Sequence, residues 1–341
     1  MMRILITGGQ GQLGRAFTNR YVPSQLRERA EEPKAVIQTA SPFHNPPFTP
    51  QQKLELIPVS QHELDITQSH AIAYALETYQ PDVVINAAAY TKVDRAESEP
   101  DQAYLVNEIA PGLLAKACSA REVGMVHIST DYVFDGSSAQ PYAEDAPTNP
   151  LSVYGQSKQA GEQAVLAALP SAIVLRTSWL FSQFGNNFLK TMLHLGRERT
   201  ELNIVSDQIG GPSYAPHIVQ VLLQLAERLN QSKEDLNQQQ APSGIYHFAG
   251  EPNTSWYEFA QEIFAQAVTL GLLSRAPTLN PIPTNHYSTP ARRPARSGLH
   301  QHRLDALLGR NNIERDWKQG IQSSLLALSK SQWDMPPPAN R

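Results

Sequence analysis

Arg3-Ile4-Leu5-Ile6-Thr7-Gly8-Gly9-Gln10-Gly11-Gln12-Leu13-Gly14, running on into Arg15-Ala16-Phe17, decides the fold. A short apolar run that breaks into a glycine loop and then a helix start lets backbone N–H groups and a helix N-terminus meet a pyrophosphate. The spacing Gly8, Gly11, Gly14 differs from the G-x-G-x-x-G fingerprint, and its strength comes from its place directly after the first strand. Outward from it, buried-strand patterns at 53–59, 81–86, 123–130 and 173–178 alternate with helical stretches. That alternation specifies an α/β, Rossmann-type, doubly wound parallel sheet. Ligands bind beyond the carboxyl ends of such strands, where the glycine loop, residues 87–91, Thr130-Asp131 and Trp179 fall.

The whole chain sets the class. Its 341 residues, 41% of them apolar, can build a full-sized core. A net charge of -4 supplies no general basic field, which argues against nucleic acid or an anionic membrane as partner. The single cysteine, Cys118, sits on a helix face that reads as buried, so an intrachain disulfide is excluded and a reducing, cytoplasmic setting fits. The opening Met1-Met2-Arg3-Ile4-Leu5-Ile6 turns to glycine before a signal region forms, and no apolar run reaches bilayer length.

The chemistry concentrates between residues 125 and 158. The strand Met125-Val126-His127-Ile128 ends in Ser129-Thr130-Asp131-Tyr132, and Tyr154-Gly155-Gln156-Ser157-Lys158 follows after a loop. On a helix, Tyr154 and Lys158 share one face. A free phenol has a pKa of about 10, and a neighbouring ammonium is expected to lower it, making Tyr154 a general acid. Thr130 or Ser129 would hold a carbonyl oxygen against the phenol, leaving the carbon open to a hydride from a nicotinamide ring. The spacing alone is weak and fits a surface Tyr-Lys pair. The hydroxyls at the strand end and the N-terminal loop favour catalysis.

Other segments refine the picture. Residues 21–52 are polar, charged and proline-rich, and read as a surface insertion with a stray strand near 35–39. The second sheet strand ends in Ser60-Gln61-His62; the lack of an acidic residue there tolerates a ribose 2′-phosphate and leans toward NADPH over NADH. Asp65 is open to two readings, an acceptor for the adenine amino group or a simple helix cap. Ala87-Ala88-Ala89-Tyr90-Thr91 keeps side chains small beside a cofactor, whereas helix packing is the competing explanation. Asn107, within a helical stretch, reads as solvated. Beyond about residue 180 the composition changes, and Ser255 or Thr254 caps a helix that begins Trp256-Tyr257-Glu258-Phe259. The expected organisation is an NAD(P)-binding domain at 1–180, to which later segments return, a smaller, mainly substrate-binding lobe at 181–330, and a disordered tail at 331–341. Ala291-Arg292-Arg293-Pro294-Ala295-Arg296 would clamp a diphosphate or form a solvated charged loop.

Together these motifs resemble the dTDP-4-dehydrorhamnose reductases, a branch of the extended short-chain dehydrogenase/reductases. The resemblance is carried by 8–14, 86–94 with 96–100, Ser129 to Phe134, Val153 to Lys158, Arg176-Thr177-Ser178-Trp179, Gly185-Asn186-Asn187-Phe188 and 289–294, nearly the whole chain. It implies Tyr154 as proton donor, Lys158 as the residue that lowers its pKa and binds the nicotinamide ribose, and Thr130 as the third catalytic member. Gly11, Gln12, Leu13, Asp65, Ile66, Ala89, Tyr90 and Thr91 would line the cofactor, joined by Gly8, Gly14, Ser60, Ala87 and Ile128. Asp131, Tyr132, Trp179 and Arg293, with Thr130, would contact the sugar nucleotide, and Asn107 corresponds to a fourth member of the short-chain catalytic set.

The reaction implied by that resemblance is reduction of the C4 ketone of dTDP-4-dehydro-L-rhamnose to dTDP-L-rhamnose by NADPH, with NADH as the other possible donor, for cell-surface polysaccharide. A monomer or homodimer is expected. Some members dimerise through a metal held by glutamates, one just after the glycine loop; Ala16 stands there, so no such metal is expected. Segment 21–52 has no counterpart in the family pattern. Three rival readings keep the fold: a reductase of another NDP-4-keto-6-deoxysugar, an epimerase or dehydratase, and a non-catalytic NADP-binding subunit like the regulatory subunit of methionine adenosyltransferase. A dehydratase needs an acid/base pair near the nicotinamide, and only Asp131 follows Thr130.

Overall fold

The computed structural model describes residues 1–21, 35–37, 54–234 and 242–330. Strands β1 (Met2–Thr7), β2 (Ala35–Ile37), β3 (Leu54–Pro58), β4 (Val83–Asn86), β5 (Gly124–Thr130), β6 (Ile173–Thr177) and β7 (Gly244–Phe248) form one sheet in the order β7-β6-β5-β4-β1-β3-β2. All run parallel except β2, which pairs antiparallel with β3 at the edge. The chain leaves β1 for β3 on one side and returns to β4 on the other. The sheet order therefore reverses between β1 and β4, opening a crevice at their carboxyl ends.

The longer helices are α1 (Gln12–Tyr21), α2 (Ser69–Tyr79), α3 (Ala110–Ser119), α4 (Val153–Ala168), α5 (Phe188–Glu198), α6 (Ala215–Glu234), α7 (Trp256–Thr269) and α8 (Trp317–Lys330). Alternation along each strand explains why helices lie on both faces. Ile4 and Ile6 pack with Phe17 of α1 and Ile218 of α6, while Leu5, between them, packs with Ile72 of α2 and Leu114 of α3. Val83 and Ile85 against Val84, and Ile173 and Leu175 against Val174, repeat the division. Each such side chain, once buried, contributes about 1.5–3 kcal/mol.

Segment 244–248 returns from the C-terminal half to pair with β6, and α6 packs on the β1 face, so the later chain completes the first layer. Of segment 21–52, only Tyr21 and the edge strand Ala35–Ile37 fall within the described residues; the tail 331–341 lies outside them. The rest of the C-terminal half uses short pairings, Leu180–Phe181 with Ser213–Tyr214, Ile209–Gly210 with Thr254–Ser255, and Glu201–Val205 with Thr278–Ile282. These surround an aromatic core of Phe181, Phe259, Phe264 and Trp317. Helix α7 starts with a full capping box: Ser255 accepts from the Glu258 N–H, and the Glu258 carboxylate accepts from the Ser255 N–H. Among the described residues no helix is long and apolar enough to cross a membrane.

Candidate active site

The glycine loop is a cradle that a side chain would fill. Gly8 has φ +69, and a Cβ there would lie 2.9 Å from the Ala87 carbonyl and the Ala88 nitrogen. A Cβ on Gly14 would lie 2.4 Å from Gly9, so α1 starts directly on its own loop. Gly9 N–H donates to the Val59 carbonyl at 2.8 Å, tying the loop to the end of β3. Gly11 and Gln10 are exposed at the crevice, followed by the first turn of α1, whose N–H groups lack intrahelical partners as in any helix. These residues fit a dinucleotide pyrophosphate. Gln12 adds a link to the smaller lobe: its Oε1 accepts from the Ser182 hydroxyl at 3.1 Å and from Asn187 Nδ2 at 3.0 Å. Leu13, by contrast, is buried in the core.

The rest of the expected cofactor wall is brought to the same edge. Ala87 and Ala88 pack on opposite faces, and Ala88 N–H donates to the Thr7 hydroxyl at 3.2 Å. Ser60 N–H donates to the Glu63 carboxylate at 2.6 Å, closing a local turn just past β3. Asp65 uses Oδ1 to accept from the Thr67 N–H at 3.0 Å and hydroxyl at 2.8 Å, a local turn, next to buried Ile66. Helix α2 then begins at Ser69 behind Gln68, without a side-chain cap, so neither Asp65 nor Thr67 caps it.

Asn107 corrects the solvated reading. It is fully buried in a π-helical turn at Leu105–Ile109. Its Oδ1 accepts from the Tyr90 N–H at 2.8 Å, and its Nδ2 donates to the Tyr90 carbonyl at 3.1 Å and the Ser157 hydroxyl at 3.0 Å. A side-chain amide that satisfies another backbone segment is stable in the interior. Here it fixes residues 89–91 against α4.

At the end of β5, the Thr130 hydroxyl accepts from the Tyr132 N–H at 3.2 Å, capping the short helical turn Asp131–Val133, and donates to Asp131 Oδ1 at 3.1 Å, beside the Tyr154 phenol. Helix α4, capped by the Ser152 hydroxyl on the Gly155 N–H at 3.2 Å, presents Tyr154 and Lys158 toward that strand end. Gly155 is required there, because a Cβ would lie 2.2 Å from the Tyr132 carbonyl. The Tyr132 and Tyr154 rings meet edge to face at 5.5 Å. Burial pushes the Tyr132 phenol up, and the Asp131 carboxylate adds to this.

The electrostatics overturn one expectation. The Tyr154 phenol is pushed up to about 12 by burial, with the Thr130 bond pulling it back and the Asp131 carboxylate raising it further. Lys158 does not lower it: its buried ammonium donates to the Ile128 carbonyl at 2.7 Å, and burial brings it down to about 8. Desolvation is the largest cause for both groups. Asp131, 1% exposed, is pushed up to about 6 by burial, with Ser297 and Thr130 pulling it back; its Oδ1 accepts from the Thr130 hydroxyl at 3.1 Å, and among the described residues its Oδ2 has no hydrogen-bond partner.

Behind the site lies a polar layer the sequence reading missed. Ser129 donates to Glu162 at 2.5 Å, and Glu162 takes a two-pronged bond from Arg176 at 2.8 and 2.7 Å. Both charged residues are buried. Glu162 lies one turn beyond Lys158, so the same-face rule that joined Tyr154 to Lys158 reaches it as well. His127 is buried with its pKa well below the usual histidine range, chiefly through burial, and faces Asn86 at 3.1 Å.

The substrate side is only partly as expected. Trp179 stands two residues past β6, whose Thr177 pairs with Thr130. Arg293 is not a free clamp: it grips Asp94 with both prongs, at 3.1 and 2.8 Å, because the Asp94 carboxylate is the anion within its reach. Arg292 and Arg296 are exposed.

Comparison with known proteins agrees with this geometry. The model of the RmlD substrate binding domain matches residues 2–330. A dTDP-4-dehydrorhamnose reductase of Aggregatibacter actinomycetemcomitans is 39% identical over 323 residues, 95% of this chain and 98% of the relative. A probable dTDP-4,6-dihydroxy-2-methyloxan-3-one 4-ketoreductase of Streptomyces antibioticus is 36% identical over 325 residues, covering 95% of this chain and 94% of its own. Among solved structures, dTDP-4-dehydrorhamnose reductase from Bacillus anthracis in complex with NADP superposes with a TM-score of 0.76 at 32% identity, covering 96% of this chain and all of that one.

Proposed function

We propose that this chain, which belongs to the dTDP-4-dehydrorhamnose reductase family of the RmlD substrate binding domain, reduces the C4 ketone of dTDP-4-dehydro-L-rhamnose to dTDP-L-rhamnose with NADPH. The observation that carries the chemistry is the place of Tyr154 on α4 beside Thr130 and Tyr132 at the carboxyl end of β5, with Lys158 one turn along the helix and bonded to the Ile128 carbonyl of that strand.

The glycine loop Gly8, Gly11 and Gly14 with Gln12 and Leu13 would hold the pyrophosphate, Ser60, Asp65 and Ile66 the adenosine half, and Ala87, Ala89, Tyr90, Thr91 and Ile128 the nicotinamide half. NADPH, when bound, supplies the hydride. Lys158 has three donors, of which the Ile128 carbonyl occupies one, leaving two for ribose hydroxyls. Thr130 and Tyr154 orient the ketone oxygen between their hydroxyls, and the Tyr154 proton passes to that oxygen as it gains negative charge. A depressed phenol pKa is unnecessary in this direction: an alkoxide has a conjugate acid near about 16, as water does, so a phenol at about 12 gives up its proton downhill. Tyr132 and Asp131 close the pocket around that transfer, and Trp179 and Arg293, the latter oriented by Asp94, contact the sugar nucleotide.

We assign residues 1–180, with α6 and β7, to cofactor binding and most of 181–330 to the sugar nucleotide. Cys118, the single cysteine, is buried, which suits a reducing cytoplasm, and a monomer or homodimer is expected. One cluster of Thr130, Tyr154 and Lys158 favours catalysis over a regulatory binding subunit. Purified protein with NADPH and the dTDP-4-keto-L-sugar made in situ should lose reduced-nicotinamide absorbance and yield dTDP-L-rhamnose. Turnover with dTDP-4,6-dihydroxy-2-methyloxan-3-one alone would transfer the assignment to that substrate.

A further inference from the structure

We propose that Trp256 is a positioning residue for the sugar pocket, acting by clamping the indole of Trp179; this rests on the reading of Trp179 as a sugar contact. Trp179 has φ +46, a left-handed backbone that a bulky residue adopts only when its surroundings over-determine it. Its carbonyl accepts from the Ser213 N–H at 3.1 Å, which fixes the backbone but leaves the ring free to turn. Two neighbours fix the ring and leave an aromatic surface for the sugar. One is Gly210, where a Cβ would lie 2.7 Å from indole Cε2 and 2.8 Å from Nε1. The Trp256 indole stacks on the ring face at 3.6 Å with an interplanar angle of 8°.

Trp256 is itself anchored. Its Nε1–H donates to Gln208 Oε1 at 3.2 Å, and buried Gln208 donates in turn to the Thr284 hydroxyl at 3.1 Å. Phe188 packs on it at 4.6 Å, and the pairing of Gly210 with Thr254 seats the start of α7 beside the Trp179 ring. Trp256 is distant in sequence from the acid/base residues but lies one ring away from a side chain at the carboxyl end of β6. The apolar face of a deoxysugar packs best on an aromatic plane held at one angle, so the clamp governs sugar affinity rather than proton transfer.

The test compares Trp256→Ala and Trp256→Phe in the wild-type chain and in a Trp179→Ala background, reading kcat, both KM values and the near-ultraviolet circular dichroism of the coupled indoles. Trp256→Ala should raise the sugar-nucleotide KM about twofold to tenfold, the range of an aromatic pair, with kcat and the NADPH KM unchanged and the coupled-indole signal lost. Trp256→Phe should recover most of the KM, and keeps the test open if the alanine variant folds poorly. Gly210→Ala, whose Cβ would press on the indole directly, should raise the same KM. In the Trp179→Ala background, Trp256→Ala should add nothing. Equal KM increases in both backgrounds, or loss of the coupled signal with KM unchanged, would overturn the proposal. An unchanged sugar KM in Trp179→Ala alone would instead sink the reading of Trp179 on which it stands.

Discussion

The layer behind Tyr154 and the wall around Trp179 are built by different means. Behind Tyr154, the strands β4, β5 and β6 set the backbone, and buried polar side chains lock it: Asn107 on Tyr90, Ser129 and Arg176 on Glu162, and Lys158 on the Ile128 carbonyl. Around Trp179 the paired strands are two residues long, and stacked rings replace the ladder. A reacting atom must be held within a fraction of an ångström, whereas a sugar face tolerates a surface that is shaped rather than bolted.

The largest effect should come from breaking the buried ion pair. Arg176→Met leaves the Glu162 carboxylate in the interior with the Ser129 hydroxyl and the field of the Lys158 ammonium but without its ion-pair partner, and should cost about 3–5 kcal/mol in denaturant unfolding. A loss below about 1 kcal/mol, the usual worth of a surface pair, would show that water reaches Glu162 and that the layer is less rigid than its burial implies.

Next in size is Asp131. Its carboxyl is pushed up to about 6 in the folded protein from an ordinary 3.8, so its contribution to stability is present below about pH 4 and lost as pH rises through 6. Asp131→Asn should therefore stabilise the protein by about 1–3 kcal/mol at pH 8 and by little at pH 4, read from melting curves at the two values. An equal shift at both would show that the carboxylate is not strained by burial.

This contrast also marks what could be read from residues alone. The strands, their order of burial and the cluster Thr130, Tyr154 and Lys158 follow from period and spacing, because a parallel sheet buries both faces and a helix repeats at four. Asn107, Glu162 and Asp94 were not legible. Each is a polar residue whose role depends on a partner far along the chain, 17, 14 and 199 residues away, and no local pattern encodes that distance. Glu162 left a trace in its position one turn past Lys158. The pairing of Trp179 with Trp256 left none, since it arises where two-residue strands meet.

The smallest effect belongs to the ring-walled lobe. Ser255→Ala removes one half of the α7 capping box and should cost about 0.5–2 kcal/mol, with hydrogen exchange raised in the first turn of α7 and unchanged in β5. Exchange rising in β5 as well would mean that the two regions unfold as one unit.

Acid catalysis by Tyr154 is tested most directly by the single-turnover rate of NADPH oxidation in Tyr154→Phe, with dTDP-4-dehydro-L-rhamnose saturating. The ring keeps its contact with Tyr132 and only the hydroxyl, with the proton it would give, is removed. The rate should fall by about 10²–10⁴ while the affinity for NADPH is unchanged. A variant that turns over at the wild-type rate would contradict the assignment of the proton to this phenol.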